Sequence, residues 1–295
     1  MASSRRNSIP DTLQPYFLRL DEGKGTAYER YALNEFLCKL IHRLPIKTVL
    51  ELPANGIMGV PGIKSLALAA AGCEVTLVNP SGKAIAEMRT LWDAFAYPAT
   101  FVTSDYEKTS LPSNSYDLVW NFCVFEHFAD PGKVVAEMAR LARKYVLIEI
   151  QNVFNVGTIV HRAYHRLHSE PWDHGSTRKM RWTEVVQHME NNGLRIIEVG
   201  ATDMPPWPDI NMKLSVNQEK SDFSSYGEGF ADLRPSVQTL AIAEILERLR
   251  AVDCAESYPL WTTLLKAWHA TVERTTPELV KILVSHHPYV VGEKS

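Results

Sequence analysis

Glycine is missing where an alternating α/β chain usually concentrates it. The first strand-like run, Thr48–Leu52, passes into Pro53-Ala54-Asn55-Gly56-Ile57, so Pro53, Asn55 and Ile57 stand where a glycine-rich loop places its three glycines. A dinucleotide needs those glycines, because the backbone must approach a pyrophosphate closely and offer it N–H groups. Proline has no N–H to offer, and the branched Ile57 blocks close approach. The loop thus argues against NAD or FAD, and so against a nicotinamide oxidoreductase. Cysteine is also sparse: Cys38, Cys73, Cys123 and Cys254 are far apart and form no CxxC, which excludes a zinc ribbon or a disulfide framework. Cys73 and Cys123 lie in apolar strand-like runs and read as buried core thiols. Excess positive charge is absent; a net charge of −3 argues against nucleic acid as the main partner. The longest Ala/Leu run, Leu66 to Ala71, is too short to span a bilayer, so no membrane partner is expected. Met1–Pro10 is polar and does not read as a signal peptide. These absences together point to a reducing, cytoplasmic setting.

What is present is ordinary globular material, with 45% hydrophobic and 22% charged residues in 295, enough for a substantial core. Residues 1–25 are polar and read as an arm, and 27–43 carry Tyr31, Leu33, Phe36, Leu37, Leu40 and Ile41 at helical spacing. Strands and helices then alternate. Strands are expected at Thr48–Leu52, Glu74–Val78, Thr100–Val102, Asp117–Cys123 and Tyr145–Ile150. A helix with Pro61 near its start and Gly72 past its end separates the first two. Ser81 can cap the next, whose Ile85, Met88, Trp92 and Phe95 share a face, and Asp130-Pro131 can open another with Val134, Val135, Met138, Leu141 and Ala142 as its stripe. Apolar strands alternating with amphipathic helices imply an α/β fold: a Rossmann-like, doubly wound, mostly parallel sheet covered on both faces. A helix (Thr183–Asn192) and a strand (Leu194–Gly200) follow. "MPPWPDI" and "SDFSSYGEGF" read as loop, and from Ser236 on the chain is expected to be helical. The implied division is 1–44 (arm and helix, able to act as a lid), 45–215 (the α/β domain, with an insertion at 153–180) and 216–295 (an added C-terminal helical region).

Ligands in such sheets bind beyond the carboxyl ends of the strands. That rule selects the Pro53 turn, Asn79, Ser104–Asp105, Asn121–Phe122 and Gln151–Asn152. A loop poor in N–H groups still suits S-adenosylmethionine, which carries no phosphate. The order of signals resembles the class I S-adenosylmethionine-dependent methyltransferases, in particular the type 11 branch acting on small molecules, over about residues 45–200. "VLELPANG" stands where that family has an acid before its turn, and "VTLVNPS" matches the second strand. "FVTSDYEKTSLPSNSYDLVW" matches the third-strand aspartate and the approach to strand four, and "NFCVFEHFADP" the segment after it. The resemblance implies S-adenosyl-L-methionine as cofactor, held by Glu51, Pro53, Asn55, Gly56, Asn79, Pro80, Ser104, Asp105, Tyr106, Asn121 and Phe122. Within it, Asn79 faces the ribose hydroxyls as a neutral partner and Asp105 accepts from the adenine amino group. The implied activity is in-line methyl transfer to an O, N, S or C nucleophile of a small molecule. A second reading is a methyltransferase-like scaffold without catalysis that acts as a regulatory or assembly partner.

Alignment supplies much of the rate in such a displacement, and only a weak nucleophile needs a base. His127 is the first candidate base. His161, His165, His168 and His174, four of the ten histidines, crowd into "HRAYHRLHSEPWDH". His161, His165 and His168 can share a helix face. Such spacing can hold a metal, but no thiolate or HExxH accompanies it, and no metal site is expected. The segment follows strand five, beside the open end of the sheet. His174 is therefore a second catalytic candidate, and Trp172, Asp173 and His165 are candidates for the methyl-acceptor pocket. Tyr28, Arg30 and Tyr31 could reach over the cofactor. Trp261 and Trp268, seven apart, read as helix core, and His286-His287 as exposed polarity. The apolar stripes of the C-terminal helices suit either a cap on the site or a homodimer.

Overall fold

The computed structural model describes residues 24–54, 62–94, 97–169, 171–172, 174–204 and 259–295. Helix α1 (Lys24–Arg43) leads to strand β1 (Thr48–Glu51). Then come α2 (Leu66–Ala70), β2 (Glu74–Asn79), α3 (Gly82–Ala94), β3 (Ala99–Thr103) and β4 (Tyr116–Phe122). After a 3-10 turn at Phe125–His127 follow α4 (Pro131–Leu141), β5 (Ala142–Glu149), α5 (Val156–Leu167), α6 (Trp182–Asn191) and β6 (Leu194–Ala201). The chain closes with α7 (Pro259–Thr275), α8 (Glu278–Val284) and β7 (Pro288–Lys294).

One seven-stranded sheet has the order β3-β2-β1-β4-β5-β7-β6. The β1–β5 strands pair in parallel, and β7 runs antiparallel to both β5 and β6. Successive strand residues face opposite ways, so neighbours divide between two cores. Val49, Leu118, Trp120, Leu147 and Val291 pack on one side, and Leu50, Val119, Val146, Ile148 and Val290 on the other. Helices cover both. Ala32, Leu33, Leu37 and Leu40 of α1 are buried, as are Val134, Val135, Met138 and Leu141 of α4. Asp130 caps α4 as expected, accepting from the Lys133 amide at 3.3 Å. Ser81 does the same for α3 through the Ala84 amide.

Several expectations need correction. The helix after the first loop begins at Leu66, so Pro61, outside the described residues, does not open it. Ala142 starts β5 instead of ending α4. The end of the region read as helical, 216–295, is strand β7, inserted between β5 and β6. That insertion overturns the reading of His286 and His287 as exposed: both are 1% accessible, where the chain enters β7 between β5 and β6. Trp268, placed in a helix core by spacing, is exposed at 47%, and Leu264 on the same helix at 56%. Cys73 and Cys123 are buried, as read. Phe95, the side chain of Trp261, both loop segments after Met204 and the helix expected from Ser236 lie outside the described residues. Among the described residues no helix is long and apolar enough to cross a membrane.

Candidate active site

The strand order reverses between β1 and β4, and the carboxyl ends of these strands form the crevice in which such sheets bind ligands. Past β1 the backbone stays anchored on both sides: the Leu52 amide donates to the Trp120 carbonyl (2.9 Å) and the Ala54 amide to the Val78 carbonyl (2.7 Å). Pro53, in a cis peptide with Leu52, is buried within this anchored turn. Asn55 and Gly56 lie outside the described residues. Where the chain is described again, Gly62 has φ +75°, and a Cβ there would sit 2.9 Å from Leu77 Cδ1, so only glycine fits.

Glu51 is buried and accepts from Ser65 Oγ at 2.5 Å; Ser65 in turn accepts from the Trp120 indole at 3.2 Å. Burial pushes the Glu51 carboxyl up to about 7, against the pull of Ser65 and Lys64. Asn79 ends β2. Its amide donates to the Ala54 carbonyl (2.7 Å) and its oxygen accepts from the Ser81 amide (2.8 Å), so it ties the first turn to the start of α3 beside Pro80. Ser104 hydrogen-bonds back to Asn79 and forward to Asp105. One Asp105 oxygen accepts from the Glu107 amide at 2.8 Å in a local turn. Tyr106 stacks at 5.4 Å on Phe128, and burial raises its hydroxyl to about 12. Asn121 donates to the Leu52 carbonyl (3.1 Å), while its own side-chain oxygen is buried without a hydrogen-bond partner among the described residues. Phe122 carries the Lys64 ammonium 3.0 Å from its ring centre on one side and the His287 ring at 4.8 Å.

These placements fit an adenosine-bearing cofactor unevenly. Asp105 keeps one carboxylate oxygen outside its local turn, and the Asn121 oxygen is a buried acceptor with no hydrogen-bond partner among the described residues. Glu51 and Asn79 are committed to protein partners and shape the turn.

Next to the Asn121–Phe122 end of β4 lies a group that spacing could not reveal. Glu29 (α1), Lys64, Glu126, Glu149 (end of β5), Asp203 (after β6), His286 and His287 are all at most 5% exposed. His287 Nδ1 is 3.2 Å from Asp203 Oδ2, and the Lys64 ammonium is 3.5 Å from Glu29. Thr202 donates to Glu149. Burial raises Glu126 to about 7 and Glu149 to about 8. For His287, burial works downward, but Cys123, Asp203 and Glu29 outweigh it and hold the imidazole well above its usual range. Among the described residues Glu126 Oε2 and Glu149 Oε2 have no hydrogen-bond partner. Buried carboxyls with raised pKa at strand ends are what functional sites concentrate. The local signals were "FEH", "IEI" and "TDM", each an acid at the end of an apolar run.

The acceptor-side candidates also assemble. His127 is half-buried at the end of the 3-10 turn. His161 and His165 lie on α5, and His174 joins them from the following loop, with Nε2 atoms 2.9 and 3.1 Å from His161 Nε2. His168, expected on the same face, instead caps α5 and stacks on Tyr164 at 4.0 Å. Trp172 packs at 4.8 Å from His174 and donates to the Gly175 carbonyl at 2.8 Å. Gly175 has φ +80°, and a Cβ there would lie 2.8 Å from the Glu126 carbonyl oxygen; the Ser176 amide donates to that same oxygen at 2.9 Å. Asp173 lies outside the described residues. Tyr31 packs edge-on to His269 at 5.6 Å as part of a helix seated on the sheet; the side chains of Tyr28 and Arg30 lie outside the described residues.

Residues 58–148 match the family model of a methyltransferase domain. That stretch, about a third of the chain, is similar to the methyltransferase-domain family, in line with the resemblance read from the sequence. Three solved structures are similar to the chain. One is a SAM-dependent methyltransferase from Aquifex aeolicus (19% identity, 59% of this chain and 87% of that one, TM-score 0.44). The second is magnesium protoporphyrin IX methyltransferase from Synechocystis PCC 6803 with bound SAH (19%, 60% and 78%, TM-score 0.46). The third is the complex of the Haloferax volcanii Trm112 activator with a putative methyltransferase (14%, 97% and 97%, TM-score 0.48). Among curated proteins none matches the sequence. The methyltransferase takes its methyl group from S-adenosylmethionine and requires a methyl acceptor.

Proposed function

We propose that this methyltransferase methylates a small molecule held between the α5–Gly175 segment and the carboxyl ends of β4 and β5. The observation that carries the reading is the seat of Gly175 on the Glu126 backbone, with no room for a Cβ. It sets His174 and Trp172 beside the carboxyl edge that the cofactor's methyl group must face. In this reading Asp105 and Asn121 hold the adenosine, while Glu51, Pro53, Asn79, Pro80 and Ser104 keep the turn in shape. Tyr106 and Phe122 supply apolar walls, and Asn55 and Gly56 complete the loop. Trp172, Asp173 and His165 line the acceptor side. The methyl carbon is already activated by the sulfonium, so alignment is the main task. For a hydroxyl or ammonium acceptor, His127, His174 or Glu126 takes the proton; a group with a pKa near 7 suits that role. The free thiols Cys38, Cys73 and Cys123 suit a reducing cytoplasm. The exposed Leu264, Trp268 and Leu279 suit pairing of two chains.

The test uses the full chain and methyl-labelled S-adenosylmethionine with a metabolite extract and, separately, a macromolecular extract. Label in the low-mass fraction, lost in Trp172→Ala while S-adenosylhomocysteine still binds, is the expected result. Label confined to protein or nucleic acid would sink the small-molecule assignment, and absence of heat with S-adenosylhomocysteine in calorimetry would favour the non-catalytic scaffold.

A further inference from the structure

We infer that His161, His165 and His174 form a zinc-type metal site with one open coordination position. Three ring nitrogens converge there from two elements. His161 Nε2 is 2.9 Å from His174 Nε2 and 3.1 Å from His165 Nε2, and all three ligand atoms lie within 4.8 Å of one another. The tautomer of His165 follows from its other nitrogen. Nδ1 is 2.9 Å from the Pro171 carbonyl, which can only accept, so Nδ1 carries the proton and Nε2 presents a lone pair. A backbone carbonyl that accepts from the far ring nitrogen in this way is what orients a metal-ligating imidazole. The Nε2 of His161 faces the Nε2 of both neighbours, so the three nitrogens turn toward one shared point. One cation at the centre satisfies all three. Tetrahedral zinc with Zn–N near 2.0–2.1 Å sets its nitrogens about 3.3–3.4 Å apart, a few tenths of an ångström outside the observed separations.

The surroundings are built to hold the third ligand. Trp172 packs on His165 at 5.6 Å and on His174 at 4.8 Å, and its indole hydrogen bond to Gly175 fixes the short loop between them. The Arg162 guanidinium lies over the Trp172 ring at 5.8 Å. The other convergent set, Glu29, Asp203, His286 and His287, already holds a cation, because the Lys64 ammonium is paired with Glu29 there. Three neutral imidazoles are an open-site donor set: zinc's fourth position is left to water or an exchangeable ligand. The helical spacing points to His168 as the third possible ligand, with no metal site expected; His174 takes that place from outside the helix. The inference shares His165 and His174 with the proposed acceptor side, so a metal-bound His174 leaves proton transfer to His127 or Glu126; zinc uptake measured without either substrate tests the metal site separately from the acceptor assignment.

The experiment takes the full chain stripped with a chelator, then titrates it with zinc chloride in a calorimeter and with cobalt(II) in a spectrophotometer. One ion per chain and the d–d absorption of tetrahedral cobalt are expected. His161→Ala and His174→Ala should each weaken zinc by more than the roughly 10–100-fold lost when only a hydrogen-bond partner of a ligand is removed. On the unmutated chain, zinc should protect these three histidines from acylation by diethyl pyrocarbonate, read by mass spectrometry, while His42 stays reactive. No zinc uptake, or uptake unchanged in both variants, or no protection of the three rings, would overturn the site.

Discussion

His287 Nδ1 and Asp203 Oδ2 lie 3.2 Å apart with both side chains at most 2% exposed. The pair is tightened by a second bond, from the His287 amide to Asp203 Oδ1 at 2.8 Å. Burial works against ionised Asp203, but His287 outweighs it and keeps the carboxyl below its usual range. Removing one charge from such a pair leaves the other uncompensated, at a cost of about 3–5 kcal/mol. Asp203→Asn is therefore expected to lower chemical-denaturation stability by that order. A loss below about 1 kcal/mol would mean that the imidazole is neutral in the fold.

The pH dependence of stability follows from the buried acids. Glu51, Glu126 and Glu149 are raised from 4.5 to about 7, 7 and 8. The folded chain thus binds more protons than the unfolded chain between these values, and the stabilisation present below pH 4.5 is lost as pH rises through 7 to 8. His287, also raised, adds in the same direction above its ordinary value near 6.5. Melting temperature should fall from pH 5 to pH 8, and Glu149→Gln should flatten the slope. A melting temperature that climbs across this window would contradict the assignment of neutral buried carboxyls.

Gly175→Ala places a Cβ 2.8 Å from the Glu126 carbonyl oxygen at a backbone φ of +80°. Strain of this kind costs about 1–3 kcal/mol. The loop bearing Trp172 and His174 should shift outward, so methyl transfer should fall while S-adenosylhomocysteine affinity stays unchanged. Equal loss of both in calorimetry would show that the loop supports the cofactor instead.

Asp105→Ala removes a carboxylate at the end of β3 whose one oxygen serves a local turn. S-adenosylhomocysteine affinity should fall about tenfold or more, which corresponds to ~1.4 kcal/mol. Unaltered affinity would move the adenine elsewhere along the sheet edge.

The histidines show how far the sequence could be read. His161 and His165 are one helical turn apart, and that neighbourhood is legible from spacing. His174 replaces His168 as their companion because the chain doubles back after α5, pinned by Trp172 and by Gly175 against Glu126. No periodicity encodes such a return. The same holds for His286-His287, which precede a short apolar run compatible with either a helix or a strand. Their burial depends on β7 slotting between β5 and β6.

Local chemistry therefore determined the alternation of β1 to β5 with their helices, the acid or amide at each strand end, and the mismatch of the Pro53 turn with a diphosphate. Those features depend on side-chain periodicity and backbone N–H content, which neighbours in the chain supply by themselves. The tertiary structure alone decided which strand ends lie side by side, which acids are buried and so raised in pKa, and that Glu29, Lys64, Asp203 and His287 meet. Burial and pairing between residues distant in sequence depend on strand order, and strand order is set by the packing of the whole sheet.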